Sequence, residues 1–233
     1  MDFMIKGSSD PFLSIKLDIG DKIFCESNSM ISLDDGLELT AKVNGGILGS
    51  VAKKIFNKKS FFTQFIEATK KDGEVLLSPQ LPSEIQVLNI TKSMPICLND
   101  GAFLAASSNI ELNMRTQKIK VALFGGRGGL FITEVTGNGL LAITGFGSII
   151  EKKITPDSPL IVDNNFVVGW SKNLTQEITI KTNHKNIFQN LFNSIKSGEI
   201  ITNKFSGEGT VYLCSKNRNS YINWLRYVTH ITK

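Results

Sequence analysis

The chain has 233 residues, a mass of 25.7 kDa and a formal net charge of +5, with 41% hydrophobic and 20% charged residues. That balance excludes a disordered or fibrous chain, and the length suffices to bury roughly 70% of the unfolded surface without disulfide or metal staples. The basic excess tilts the protein toward anionic partners but is modest for a chain this long.

Three cysteines, Cys25, Cys97 and Cys214, are far apart and never in C-x-x-C spacing. This points to a reducing compartment and away from a zinc ribbon or redox motif. The first residues, MDFMIKGSSDPFLSIKLD, lack an apolar run of signal-peptide length. No window approaches about 18 uninterrupted apolar residues. The expected localisation is cytoplasmic.

In chain order, Phe12 to Leu17 alternates apolar and polar residues, the period of a half-buried strand. Strand-like segments follow at Ile23-Phe24, at Met30-Ile31 to Leu33 and, after the Asp34-Asp35-Gly36 turn, at Leu37-Glu38-Leu39. Ile47, Leu48, Val51, Ile55 and Phe56 then share one face of a helix, with Lys53, Lys54, Lys58 and Lys59 nearby. Such a basic amphipathic segment can pack on its own core, on a partner or on an anionic membrane surface.

Strand patterns resume at Glu74 to Leu77 and around Ile85 and Val87. The stretch from Leu123 to Gly147 is apolar, almost uncharged and too rich in glycine for a helix, since each interior Gly costs about 1 kcal/mol relative to Ala. It reads as strands joined by glycine turns, Gly137-Asn138-Gly139 among them, with Arg127 as its one cation, placed to face a neighbour. Gly137 to Ala142 formally matches G-x-G-x-x-G/A, but the segment after it is β-like rather than the helix that a dinucleotide site requires.

The clearest helix pattern lies at Ile187, Phe188, Leu191, Phe192 and Ile195. The tail from residue 216 to 233, with Tyr221, Trp224 and Tyr227 among basic residues, reads as a last strand or a subunit contact. An aromatic and basic mixture of this kind can also stack nucleic-acid bases.

Turn aspartates followed by apolar pairs recur. Asp21 with Phe24, Ser29 and Ile31 aligns with Asp100, Phe103, Ser108 and Ile110, and a third copy surrounds Asp157, Leu160 and Phe166. The expectation is one compact domain over residues 1–233, with three internal units near 12–90, 96–150 and 155–215. The predicted fold class is all-β: three pseudo-repeated units forming a β-sandwich or a double-stranded β-helix-like barrel, with one or two short helices.

Chemistry is sparsely signalled. The two histidines, His184 and His230, sit in no recognised catalytic or metal pattern, and no G-x-S-x-G is present. Neither catalytic residues, nor a cofactor, nor a metal is expected. The candidate interaction residues are Lys53, Lys54, Lys58, Lys59, Arg127, Ile187, Leu191, Phe192 and Trp224.

An ordered set of glycine and turn motifs runs through nearly the whole chain. It comprises Gly20-Asp21 with Ser29-Met30, Gly45-Gly46-Ile47-Leu48-Gly49, Ser60-Phe61-Phe62, Leu81-Pro82, Gly101-Ala102-Phe103-Leu104-Ala105, Phe124-Gly125-Gly126 with Gly129-Leu130-Phe131, Gly137-Asn138-Gly139, Val162-Asp163 and Phe205-Ser206-Gly207-Glu208-Gly209. As a set it resembles the altered-inheritance-of-mitochondria (mitochondrial biogenesis) family. Ser83 and Arg127-Gly128 depart from the usual pattern.

The resemblance implies a fold of three related units like that of the tryptophan RNA-binding attenuation protein, with self-association, and no catalytic residues to carry over. The functional expectation is a non-catalytic scaffold or interaction protein, homo-oligomeric, with a further protein partner left open. An RNA-binding module and a peripheral membrane organiser are the alternatives. An RNA reader should repeat both aromatic and basic residues at equivalent turns, and here only the aromatics repeat.

Overall fold

The computed structural model describes residues 1–41, 63–116, 131–180 and 201–229. Within them the chain is all-β apart from one α-helix and a single 3-10 turn at Asn164–Phe166. Strand β1 (Asp2–Lys6) is followed by eighteen more, which fall by their pairing into three sets of six.

The first set is β2 (Phe12–Leu17), β3 (Lys22–Glu26), β4 (Met30–Leu33), β5 (Leu37–Ala41), β6 (Thr63–Ala68) and β7 (Gly73–Leu77). The second is β8 (Ser83–Ile90), β9 (Ile96–Asn99), β10 (Phe103–Ser107), β11 (Ile110–Thr116), β12 (Phe131–Gly137) and β13 (Gly139–Phe146). The third is β14 (Ile149–Ile154), β15 (Leu160–Asp163), β16 (Val167–Ser171), β17 (Thr175–Ile180), β18 (Ile201–Ser206) and β19 (Gly209–Cys214).

Each set splits between two sheets in the same way. Its sixth strand lies between its first and third, and its fifth lies between its fourth and second. The second strand of one set then pairs antiparallel with the third strand of the next: β3 with β10, and β9 with β16. The sheets are therefore β1-β2-β7-β4, β5-β6-β3-β10-β13-β8, β11-β12-β9-β16-β19-β14 and β15-β18-β17. No closed barrel forms among the described strands, and the sandwich half of the expected architecture is the one observed.

Three apolar cores fill the spaces between these layers. Leu13, Ile15 and Leu17 alternate inward from β2 and meet Ile23, Ile66, Val75 and Leu77, all at most 1% exposed. The middle core holds Phe24, Leu98, Ile110, Val135, Leu141 and Ile143. The third holds Cys97, Trp170, Phe205 and Val211, with the Trp170 and Phe205 rings tilted at a centroid distance of 5.5 Å. Period-two alternation on strands buried on one or both faces is what sends these residues inside.

Pairing also fixes which residues correspond between sets. Cys25 pairs with Ala105 and Leu98 with Gly169, so Cys25 and Leu98 are counterparts, as are Ala105 and Gly169. Each third strand carries a register shift at the same place, between Met30 and Ser32, Phe103 and Ala105, and Val167 and Gly169. Aligned turns set Phe24 against Phe103, whereas pairing sets Phe24 against Cys97. Turn aspartates stand at two different kinds of turn, so turn chemistry alone cannot fix the register.

The tail is corrected. Residues Arg218–Thr229 form helix α1, not a strand. Tyr221, Trp224, Leu225 and Val228 recur at helical spacing, and Asn217 caps the first turn by accepting the Ser220 amide at 3.1 Å. The expected helices within 47–59 and 187–195 lie outside the described residues.

Candidate functional site

The turn between the second and third strands of each set crosses from one sheet to another. In the first set it is Glu26 to Ser29, with Asn28 at φ 65°; in the second it is Asn99 to Ala102, with Gly101 at φ 77°. In the third it is the Asn164–Phe166 turn, capped by Asp163, whose carboxylate accepts the Asn165 amide at 2.9 Å. These three turns converge on one cavity of about 130 Å³.

Glu26, Asp100 and Asn165 line it from the three turns, then Gln80 from the β7–β8 connection, Ser83 at the start of β8, and Thr144 near the end of β13. Cys214 at the end of β19, Lys216 and Arg218 at the start of α1 line it as well. Leu81, Phe146, Val167 and Val168 supply an apolar lining.

Helix α1 is anchored beside the cavity by two contacts. The Asn219 amide donates to Asn165 Oδ1 at 2.9 Å, and Tyr221 packs on Phe146 at a ring distance of 5.1 Å. Lys216 Nζ lies 5.8 Å from the Phe146 ring, within reach of a cation–π attraction.

Glu26 is the unusual group. Its counterpart Asn99 donates to the Val167 carbonyl at 2.8 Å, and its counterpart Asp163 caps its own turn. Glu26 is half-buried, and among the described residues its carboxylate has no hydrogen-bond or ion-pair partner. Burial pushes its carboxyl up to about 7; Arg218 opposes that rise and Asp100 adds to it. The Cys214 thiol is likewise raised by burial, and all three cysteines are free thiols.

A second feature lies at the ends of the stack. Among the described residues β4 pairs only with β7, and β15 pairs only with β18. Ile161 on β15 is 68% exposed, although its counterparts Phe24 and Cys97 are 0% and 1% exposed. On β4, Ile31 is 55% exposed, whereas its counterparts Leu104 and Val168 are buried. Two edges that are unpaired among the described residues thus carry exposed aliphatic residues at positions that the other sets bury.

Of the residues singled out from the sequence, Trp224 sits on α1, 56% exposed and stacked near Tyr221 at 6.0 Å. Lys53, Lys54, Lys58, Lys59, Arg127, Ile187, Leu191 and Phe192 lie outside the described residues. Sequence reading missed Glu26, Asp100 and Arg218 as a group, because they come from three separate turns that only the strand register brings together. No helix among the described residues is long and apolar enough to cross a membrane.

A family profile described as mitochondrial biogenesis AIM24 matches residues 3–216. The chain belongs to the AIM24 family. An uncharacterised protein of Streptococcus pyogenes serotype M6 is 33% identical over 224 residues, spanning 93% of this chain and 86% of its own. A crystal structure of a Streptococcus pyogenes protein superposes with a TM-score of 0.79 at 29% identity, covering 97% of this chain and 99% of that one. The AIM24 resemblance drawn from glycine and turn motifs therefore holds over nearly the full length. The matches span all three strand sets and include every element that lines the cavity up to Lys216.

Proposed function

We propose that this AIM24-family chain is a non-catalytic scaffold that assembles with copies of itself, head to tail, through β4 of one copy and β15 of the next. One observation carries the reading. The joint made twice inside the chain, β3 with β10 and β9 with β16, is left half-made at each end among the described residues. β4 is a third strand lacking the second strand of a preceding set. β15 is a second strand lacking the third strand of a following one.

The two open edges are complementary in hydrogen bonding and in the exposed Ile31 and Ile161. An unpaired edge bearing aliphatic residues is a template for another chain, and natural proteins cover such edges. Joining unlike edges makes a heterologous contact, which closes into a ring when the rotation per copy allows it and otherwise extends.

Light scattering coupled to gel filtration tests this with the wild type and Ile161→Lys. At micromolar concentration the wild type is expected at a multiple of 25.7 kDa, and the variant at the single-chain mass. A monomeric wild type at about 50 μM, well above the Kd of an ordinary specific interface, would overturn the assignment.

A further inference from the structure

The cavity where the three turns meet holds charges of both signs that are not joined in ion pairs among the described residues. Glu26, Asp100, Lys216 and Arg218 all line it, and Arg218 acts electrostatically on Glu26. Among the described residues no ion pair within 4.0 Å joins any two of them. Arg218 is held against the Asp100-Gly101 turn, where a Cβ on Gly101 would lie 3.2 Å from its Nη1. Leu81, Phe146 and Val168 line the space between.

The geometry points to a binding site for a small zwitterion, a molecule with an ammonium group for Glu26 and Asp100, an acid group for Arg218 and Lys216, and a short apolar stem. A space of about 130 Å³ takes roughly six to eight non-hydrogen atoms, since benzene occupies an engineered cavity of about 150 Å³. A purely cationic ligand would leave Arg218 and Lys216 facing its own charge. A purely anionic one would be repelled by the two carboxylates. A neutral apolar ligand would cover a half-buried carboxylate without pairing it, which is costly.

The comparison between sets supports the assignment. At the position of Glu26 the other two sets place Asn99, whose amide donates to the Val167 carbonyl on β16, and Asp163, whose carboxylate accepts the amide of Asn165 in its own turn. Among the described residues the Glu26 carboxylate has no such hydrogen bond, and it lines the cavity. The raised Glu26 carboxyl fits the same picture. An arriving ammonium favours the carboxylate form, so binding near pH 7 releases a proton from Glu26, while Asp100, Arg218, Lys216 and Cys214 are the other titratable or charged groups facing it.

Isothermal calorimetry on the full chain tests the site with three probes: 4-aminobutyrate, which carries both charges, butylamine, which carries only the cation, and butyrate, which carries only the anion. The expected result is that 4-aminobutyrate binds at least about 10-fold tighter than either single-charge probe. Glu26→Gln should weaken 4-aminobutyrate by about 10-fold and leave butyrate within about two-fold, and Arg218→Gln should weaken both but spare butylamine. Repeating the titration in buffers of different ionisation enthalpy should show proton release at pH 7 in the wild type and none in Glu26→Gln.

The wild-type comparison decides the matter without depending on either variant. Equal affinity for the three probes, or no heat from any of them at about 10 mM, overturns the assignment. This outcome is independent of oligomeric state, so it is read separately from the assembly experiment.

Discussion

At the scale of single residues, Glu26 and Gly137 carry the sharpest consequences. The Glu26 carboxyl is raised to about 7, chiefly by burial, from an ordinary value of 4.5. The folded protein therefore binds a proton there that the unfolded chain has released, and stability from this group falls as pH rises from about 4.5 through 7. Glu26→Gln removes the dependence. After discounting for partial solvent screening, the variant should melt roughly 3–6 °C higher than wild type at pH 8 and equally at pH 4. A variant that melts lower at pH 8 would show that the carboxylate is stabilised rather than strained.

Gly137 ends β12 at φ 112°, in the turn that carries the chain across to β13 in the neighbouring sheet, and a Cβ there would collide with the Asn109 carbonyl oxygen. Gly137→Ala should cost about 2 kcal/mol or more, read as a Tm lower by roughly 4–8 °C. The glycine pair around Asn138 was legible in the sequence as a turn, since glycine takes the Gly137 backbone geometry without strain, but the hairpin expected there is instead a crossover between two sheets.

At the scale of elements, strands were legible where one face is buried and the other is wet. Phe12 to Leu17 shows this, with Lys16 outward between buried Ile15 and Leu17. The C-terminal helix was misread because its pattern lies on a surface element. None of its residues is fully buried, so tyrosine, tryptophan and valine there look as β-like as helical. Its start is set by Asn217. Asn217→Ala should fray the first turn of α1 at a cost of about 1 kcal/mol, visible as faster amide exchange from Arg218 to Ile222 with little change in global Tm. Because Arg218 on that turn borders the cavity, unchanged exchange in the variant would mean that the Asn165 and Phe146 contacts, not the cap, hold the helix in place.

At the scale of the whole molecule, glycine and turn motifs suggested a repeat in one register, and strand pairing relates the three sets in another, with Phe24 the counterpart of Cys97 and not of Phe103. Sheets shared between consecutive sets require contacts between strands far apart in sequence, such as Cys25 with Ala105 and Leu98 with Gly169. No local pattern encodes those pairs, because period-two alternation fixes which face a residue takes and not which strand lies beside it. The cavity was hidden for the same reason. Once the register is known, it also predicts the joint between copies. Counterparts of Ala105 and Gly169 on β4, and of Cys25 and Leu98 on β15, are Ser32 and Val162. Antiparallel partners have Cα atoms about 4.5–5.5 Å apart, within disulfide range. A Ser32→Cys, Val162→Cys double variant, made in a Cys214→Ser background to remove the one native thiol that is not buried, should therefore cross-link on mild oxidation into a ladder at multiples of 25.7 kDa. Neither single variant should do so, because head-to-tail contact places unlike edges together. A fast-migrating monomer from the double variant would instead mean that the two edges meet within one chain, and symmetric dimers from either single variant would mean that like edges pair.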